Sequence, residues 1–256
     1  IDIELDSKDP DAIIEAVALG QMRTAALAAV ATKYLAAEGA DDMAVVGSGK
    51  QSMTQVAAVN AVRPLKRLRV FSPTAANRAR FAEEMRQKYS FEVVEKNSVE
   101  DCVKDAPIVT TVTRAKEPFL TADMLSPGTH LNAAGAIITG FAEITADVVA
   151  RADRVVVDSL EGCREDSREL RSFYDGEGGD WNDVIELNQI VGKNDRRPAG
   201  ADLTLFKWMG VGLADLAAGI EILKRAKAKG AGRELPHPGR APVDLRVNRL
   251  KAAPET

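Results

Sequence analysis

Cysteine and histidine are scarce in this chain of 256 residues, which contains two of each. Cys102 and Cys163 lie far apart in the sequence, which argues against a disulfide framework and favours a reducing compartment such as the cytoplasm. His130 and His237 do not stand in the spacing that zinc ligands adopt. The sequence therefore predicts neither a disulfide scaffold nor a metal site.

The chain also lacks a basic excess and any long apolar run. Its net charge of −4 and isoelectric point of about 5.4 give no general affinity for nucleic acid or an anionic membrane. No apolar run approaches the ~20 residues that a membrane-spanning helix needs. Hydrophobic residues at 45% and charged residues at 28% are typical of a globular protein. The chain opens on Ile1 as if in mid-fold, so we expect an N-terminal portion to be missing.

What the sequence does contain is a strand, a glycine turn and a helix in succession, in the stretch MAVVGSGKQSMTQVAAVNAV from Met43 to Val62. The first N–H groups of a helix are unpaired and attract a phosphate. Gly47 would make the tight turn and Gly49 would let a pyrophosphate approach the backbone. Ser52 replaces the third glycine of the dinucleotide-binding fingerprint. A plain strand-to-helix turn is the alternative to a dinucleotide site.

Further strands and helices alternate along the chain, which predicts βαβ units and a parallel sheet. The predicted strands share short apolar, β-branched runs and span residues 68–71, 91–94, 108–112, 129–134 and 155–158. Helices are expected at 75–88 and 99–105, in the alanine-rich segment 12–38 divided at Gly20, and from Leu203 to Gly230. Residues 161–171 could form a solvated helix, and residues 1–5 a short strand.

The residues after the second strand indicate which nicotinamide cofactor fits. An acidic residue there would hold the ribose hydroxyl of NAD and repel the phosphate of NADP. This sequence instead has Ser72 and Thr74, followed by Arg78, and such hydroxyl and guanidinium groups suit a phosphate. We therefore favour NADP, with NAD possible. A simple helix cap at residues 72–74 is the alternative.

Other polar residues allow two interpretations each. Arg23 is expected near the start of a helix, where the dipole disfavours a cation unless it meets an anion; the alternative is a solvated surface arginine. Asp158 and Glu161 could line a pocket or a surface turn. His130 is expected to be packed inside the protein. Asp166 and Glu169 are expected on a solvated face.

Five motifs together resemble the ornithine cyclodeaminase/mu-crystallin family. They are Arg23-Thr24 before an alanine-rich helix, VVGSGKQS, IVTTVT, PGTHLNAAG and LTLFKWMGVGLADL, in the family's order between about residues 19 and 230. The resemblance implies an α/β fold in which a Rossmann-type doubly wound parallel sheet sits on a second α/β domain for substrate and dimerisation. The expected boundaries are 1–38 for a remnant of that domain, 39–202 for the Rossmann domain, 203–230 for a returning helix and 231–256 for a tail or arm.

The resemblance also implies site residues by matching position. Arg23 and Met209 would bind substrate, and Asp215 would make an orienting hydrogen bond. The positions that match cofactor-binding residues are Arg23, Gly47, Gly49, Lys50, Gln51, Ser72, Thr113, Leu131, Asn132, Ala133, Ala134 and Trp208, and Thr74 and Arg78 join them from the argument on phosphate.

The sequence departs from the family pattern at two places. The family's substrate-binding lysine lies upstream of anything in this chain, so the catalytic residues are unassigned. Ile137 stands where cyclodeaminases carry an aspartate that handles protons. The resemblance thus implies an NAD(P)-dependent oxidoreductase that reduces a C=N bond in a small amino-acid-derived substrate, acting as a cytoplasmic homodimer. Ornithine cyclodeamination, amino-acid dehydrogenation and NADPH binding without turnover are the alternatives.

Overall fold

The computed structural model describes residues 12–176 and 178–233, and these build one eight-stranded parallel sheet. The strands are β1 (Asp42–Val46), β2 (Arg67–Phe71), β3 (Glu92–Glu95), β4 (Ile108–Thr111), β5 (Thr129–Ala133), β6 (Arg154–Val157), β7 (Ile185–Glu186) and β8 (Leu203–Lys207). Their order across the sheet is β3-β2-β1-β4-β5-β8-β6-β7, and every neighbouring pair is parallel.

Helices cover both faces of this sheet. They are α1 (Ala16–Leu35), α2 (Lys50–Val62), α3 (Ala75–Lys88), α4 (Val99–Val103), α5 (Ala146–Arg151), α6 (Leu160–Asp166), α7 (Arg168–Tyr174), α8 (Leu187–Lys193) and α9 (Gly212–Ala228). Because both faces are covered, β4, β5 and β8 are buried along their whole length. The predicted doubly wound α/β fold is confirmed, and α3 has the bounds that the sequence predicted.

The direction of winding reverses between β1 and β4. The chain passes from β1 outward through β2 and β3, and then returns to place β4 on the other side of β1. In open parallel sheets a ligand binds at such a reversal, beyond the carboxyl ends of the strands. The loops that leave β1, β2, β4, β5, β6 and β8 all lie at this edge.

The expected break at Gly20 is wrong, because α1 continues through it from Ala16 to Leu35. Helix α1 packs along α2 and the sheet and buries Ala28, Ala31 and Leu35 against β6 and β8. This burial outweighs the ~1 kcal/mol that a glycine costs inside a helix. Arg23 consequently lies inside α1 and not at a helix start, so the dipole argument for its role does not hold.

Residues 203–207 form β8 and not the beginning of the last helix, which was expected from Leu203. Strand β8 lies between β5 and β6, and α9 begins only at Gly212. A strand buried on both faces has no polar alternation, so its Leu-Thr-Leu-Phe run could not be distinguished from a buried helical segment.

The segment 161–171 forms two helices where the sequence predicted one. Ser167 ends α6 and its hydroxyl accepts from Leu170 N at 3.3 Å to begin α7. Asp166 is exposed as expected, whereas Glu169 is buried, so its assignment to a solvated face is wrong. The predicted strand at 1–5 and most of the predicted tail, residues 234–256, lie outside the described residues.

The two cysteines are buried in the larger core cluster and are free. Burial raises the pKa of the Cys102 and Cys163 thiols to about 12, so both are unreactive thiols. Among residues 12–176 and 178–233, no helix has the length and apolar character to cross a membrane.

Candidate active site

The turn between β1 and α2 has a geometry that only glycine adopts readily. Gly47 has a φ of +123°, and a Cβ on it would lie 2.5 Å from the carbonyl oxygen of Val112, just beyond β4. Its N–H donates to Phe71 O at 2.9 Å, so the turn is held against β2 as well. Gly47 therefore sits at the reversal point of the sheet.

The start of α2 is open toward this point. Gly49 is the N-cap residue and makes no side-chain cap, and a Cβ on Gly49 would meet nothing within 4 Å. Lys50 is exposed and Gln51 half-buried in the first turn, while Ser52 is buried, as close helix–strand packing predicts. The Ser52 N–H donates to Gly49 O at 3.1 Å. The start of the helix and the open space around Gly49 still fit a pyrophosphate.

The segment after β2 brings Ser72 and Arg78 together. Ser72 is buried, and its carbonyl accepts from Arg78 Nη1 at 2.8 Å. Arg78 also donates to Asn97 Oδ1 at 3.3 Å. Thr74 is exposed and stands at the N-cap of α3 without making a side-chain cap, and no acidic residue occupies the first turn of α3. The carboxylate that pairs with Arg78 is that of Glu95 at the end of β3, with Oε2 4.0 Å from Arg78 Nε.

The end of β5 is built on an internal polar network. His130 Nδ1 lies 3.0 Å from Thr204 Oγ1 and its Nε2 lies 3.2 Å from Asn132 Oδ1, while Asn132 Nδ2 donates to Thr32 Oγ1 at 3.0 Å. His130 is buried, as the sequence predicted, and burial lowers its pKa to about 3, so the ring is neutral near pH 7. The side chains of Leu131, Asn132 and Ala133 are all buried, and the main chain of β5 pairs with β4 and β8, so the strand meets the candidate site only at its end.

Arg23 meets Trp208 and Asp215 at the same edge. Its Nε donates to Asp215 Oδ1 at 3.1 Å, and its guanidinium carbon lies 5.0 Å from the centroid of the Trp208 ring. Within the described residues, neither Arg23 Nη1 nor Trp208 Nε1 finds an acceptor, although both atoms are buried. Buried donors without a partner are costly, which makes these two atoms candidates for contact with a ligand. The alternative of a solvated arginine is therefore disfavoured.

The turn from Trp208 to Gly210 is held by the carboxylate of Asp158. Asp158 accepts from Met209 N at 2.9 Å and from Gly210 N at 2.7 Å, and Trp208 N donates to Ala133 O at 3.2 Å. Burial raises the pKa of Asp158, and the two N–H donors oppose that rise. Met209 itself is buried in the core. Asp158 thus supports the candidate site and does not simply belong to a surface turn.

A buried cluster of two carboxylates and a lysine was not predicted from the sequence. Glu143 accepts from Thr113 N at 2.5 Å, from Gly135 N at 2.8 Å and from Thr111 Oγ1 at 2.8 Å. Lys207, at the end of β8, contacts both Ala136 O and the carboxylate of Glu169. Burial raises the pKa of Glu143, and the Lys207 ammonium opposes this rise. The available signal was a charged residue inside an apolar stretch, as in Ala142-Glu143-Ile144.

The loop after this cluster carries two exposed apolar side chains. Ile137 is 40% exposed and Ile138 is 50% exposed, directly after the buried Ala136. Ile137 thus offers an apolar surface at the position that the resemblance assigns to an aspartate in cyclodeaminases.

Comparisons with known proteins agree on one group of enzymes. A sequence model of the ornithine cyclodeaminase/mu-crystallin family matches residues 3–230. Delta(1)-pyrroline-2-carboxylate reductase of Bacillus cereus is 27% identical over 234 residues, covering 91% of this chain and 72% of that protein. Ornithine cyclodeaminase of Brucella abortus is 31% identical over 234 residues, covering 91% of this chain and 63% of that protein.

Among solved structures, the chain is similar to Thermococcus litoralis Delta(1)-pyrroline-2-carboxylate reductase in complex with NADH and L-proline. The TM-score is 0.86 and the identity 28%, and the match covers 91% of this chain and 72% of that one.

Proposed function

Because the chain belongs to the ornithine cyclodeaminase/mu-crystallin family, we propose that it is an NAD(P)-dependent oxidoreductase that reduces the C=N bond of a small amino-acid-derived substrate. A cyclic imine carboxylate is the substrate class that we favour. Its relatives in Bacillus cereus and Thermococcus litoralis are reductases of such a compound, and the latter structure contains NADH.

One observation carries the proposal. At the edge of the sheet where its winding reverses, the first turn of α2 borders open space. Arg23 Nη1 and Trp208 Nε1 lie at the same edge, buried and without an acceptor among the described residues. A helix start can bind the phosphates of a dinucleotide. A guanidinium can bind the carboxylate of the substrate.

Different residues would bind the cofactor and the substrate. Gly47, Gly49 and the first turn of α2 would receive the pyrophosphate, with Lys50 and Gln51 beside it. The strand end at 131–134, Thr113 and Trp208 would lie along the nicotinamide. When bound, the cofactor supplies the hydride, and Arg23 and Met209 would orient the carbon that accepts it. Asp215 fixes the Arg23 guanidinium through its Nε.

Ornithine cyclodeamination is the second candidate, because the Brucella enzyme with that activity is 31% identical to this chain. That reaction must accommodate a second amine and move protons near the reacting carbon, which a carboxylate can do. Ile137 provides an apolar, half-exposed wall instead. An ammonium group against such a wall would lose hydration without gaining a partner, so the residue favours imine reduction.

The decisive experiment compares the two reactions with the same purified protein. We expect reduced nicotinamide to be consumed with Delta(1)-pyrroline-2-carboxylate, and no proline to form from ornithine with NAD. Proline production from ornithine would overturn this assignment in favour of cyclodeamination. Cofactor binding without turnover of either substrate would instead support a binding protein.

We also propose that the enzyme prefers NADP, since Ser72, Thr74 and Arg78 surround a helix start without an acidic residue. A cytoplasmic location is consistent with the free, buried thiols of Cys102 and Cys163. A homodimer is proposed because α1 and α9 expose several large apolar side chains. These are Val17, Met22, Leu213 and Ile220, which we call the α1/α9 surface.

A further inference from the structure

A single carboxylate joins the two loops that border the candidate nicotinamide site. Glu143 accepts from the main-chain N–H of Thr113, in the loop after β4, and of Gly135, in the loop after β5. A Cβ at Gly135 would lie 2.3 Å from Glu143 Oε1 and 2.4 Å from Thr113 N. The two loops therefore approach each other so closely around this carboxylate that only a glycine fits at position 135.

Lys207 and Glu169 complete the connection from the other side. The Lys207 ammonium contacts Ala136 O, the residue after Gly135, and also the Glu169 carboxylate. Glu169 in turn accepts from Glu143 N at 2.6 Å and from Ile144 N at 3.1 Å. The chain from Thr113 to Ile144 is thus fixed at five main-chain groups by three buried side chains.

Such a cluster is an expensive way to stabilise a core. All three side chains are at most 2% exposed, and buried ion pairs can often be replaced by apolar residues without loss of stability. What apolar residues cannot do is hold main-chain N–H and C=O groups in a chosen place. Three of the five main-chain groups held here belong to Thr113 and to the two residues that precede Ile137.

We propose that Glu143 and Lys207 are positioning residues, which hold Thr113 and the 135–137 segment at the distance from the nicotinamide that hydride transfer requires. This inference rests on the proposed reductase function. Hydride transfer depends steeply on the separation of donor and acceptor carbons, and a displacement of about 1 Å can cost about 100-fold in rate. The pyrophosphate is held elsewhere, at the turn of Gly47 and Gly49, so cofactor affinity should not depend on the cluster.

The first test uses Glu143→Gln, which keeps the size of the side chain but turns one acceptor into a donor that faces an N–H group. We expect kcat with an imine substrate to fall by about 10- to 100-fold, with little change in the Kd for the cofactor. The isotope effect from deuterated NADPH should rise, because hydride transfer becomes the slow step. The control is Glu117→Gln. Glu117 lies in the loop after β4, and its exposed carboxylate pairs with Arg168 at the start of α7.

A double variant separates stability from positioning. Lys207→Met alone would leave the Glu169 carboxylate buried without a cation, whereas Lys207→Met with Glu169→Gln removes this ion pair and leaves Glu143 with its N–H donors, Thr113 and Gly135. We expect the double variant to regain thermal stability relative to Lys207→Met but to keep a low kcat, because Ala136 O has still lost its donor. A purely structural role predicts that kcat recovers with stability.

Amide hydrogen exchange tests the inference without any turnover. In Glu143→Gln, peptides containing Thr113 and Gly135 should exchange faster than in the unmodified protein, while those containing Gly47 should not change. Unchanged exchange at Thr113 and Gly135 would overturn the positioning role, whatever the assays show. If the unmodified protein fails to reduce imines while exchange responds as expected, the proposed function fails and the control of loop geometry by Glu143 stands.

Discussion

His130 shows how a single buried side chain makes stability depend on pH. Its pKa is lowered from 6.5 to about 3, chiefly because burial penalises the charged ring. Between these two values the unfolded chain binds a proton that the folded chain does not, so stability should decrease as the pH falls through this window. The contribution of this histidine is at most ~1.4 kcal/mol per pH unit.

His130→Gln should remove this contribution while retaining hydrogen-bonding capacity toward Thr204 and Asn132. The measurement is the free energy of unfolding in urea at several pH values between 6.5 and about 3. We expect a shallower dependence on pH for the variant, even if it is less stable throughout. Parallel curves would mean that His130 is charged in the folded protein.

Ile137 is the residue whose substitution should change substrate preference. Ile137→Asp would place a carboxylate on the apolar wall, with the loss of about 1.5–3 kcal/mol of apolar contact if the substrate covers the side chain. We expect KM for an apolar cyclic imine to rise at least tenfold in steady-state assays. Ile138→Asp, at the neighbouring and somewhat more exposed position, is the control. Equal effects of the two substitutions would place the substrate away from Ile137.

At the scale of elements, the β1–α2 turn has two glycines with different tasks. Gly49→Val should fold normally, since the φ of Gly49 is −82° and a Cβ there meets nothing within 4 Å. It should nevertheless lose cofactor binding, because the new side chain fills the space where the pyrophosphate would approach. Isothermal titration with NADPH checks this, and normal binding by Gly49→Val would place the phosphate elsewhere.

Gly47→Val is the companion variant of the same turn. Its Cβ would collide with Val112 O, and its φ of +123° is strained for any other residue. We expect a clear loss of thermal stability here, of several degrees or more. If Gly49→Val loses cofactor binding but keeps its stability while Gly47→Val loses stability, recognition and folding depend on different residues within a segment of three.

The start of α3 should set the choice between NADPH and NADH. Thr74→Asp introduces a good N-cap residue, so stability should be unchanged or improved. Its charge would repel a 2′-phosphate, and each lost charge-assisted hydrogen bond costs about 1.5–3 kcal/mol. We expect the unmodified protein to bind NADPH more tightly than NADH, and Thr74→Asp to reverse this order. Thr74→Asn is the uncharged control, and tighter NADH binding by the unmodified protein would contradict the prediction.

For the whole molecule, the sequence predicted those features that depend on local pattern. The alternation of apolar runs and helices predicted the sheet, and the glycine-rich stretch predicted the strand, turn and helix that form β1 and α2. Features set by tertiary packing were not predictable in this way. Gly20 stays helical because α1 packs on the sheet, and residues 203–207 become a central strand because β5 and β6 flank them. The burial and pairing of Glu143, Glu169 and Lys207 depend on contacts between segments that are distant in the sequence.

The assembly state is the prediction that belongs to the whole molecule. Val17 is 62% exposed in α1 and Leu213 is 74% exposed in α9, and these helices are joined by the ion pair between Arg23 and Asp215. We infer from these large exposed apolar side chains on two neighbouring helices that α1 and α9 take part in an interface. We expect sedimentation to give the mass of a homodimer.

Val17→Glu combined with Leu213→Glu should convert that dimer to a monomer, because burying two unpaired carboxylates on each side of the interface is strongly unfavourable. Val191→Glu in α8, where the valine is 41% exposed outside the α1/α9 surface, should leave the dimer intact. Arg23 and Trp208 lie next to this surface, so the monomer should also bind substrate more weakly than the dimer. If the binding site is complete within one chain, dissociation of the dimer will leave substrate affinity unchanged. A double variant that still sediments as a dimer would place the interface on another face of the molecule.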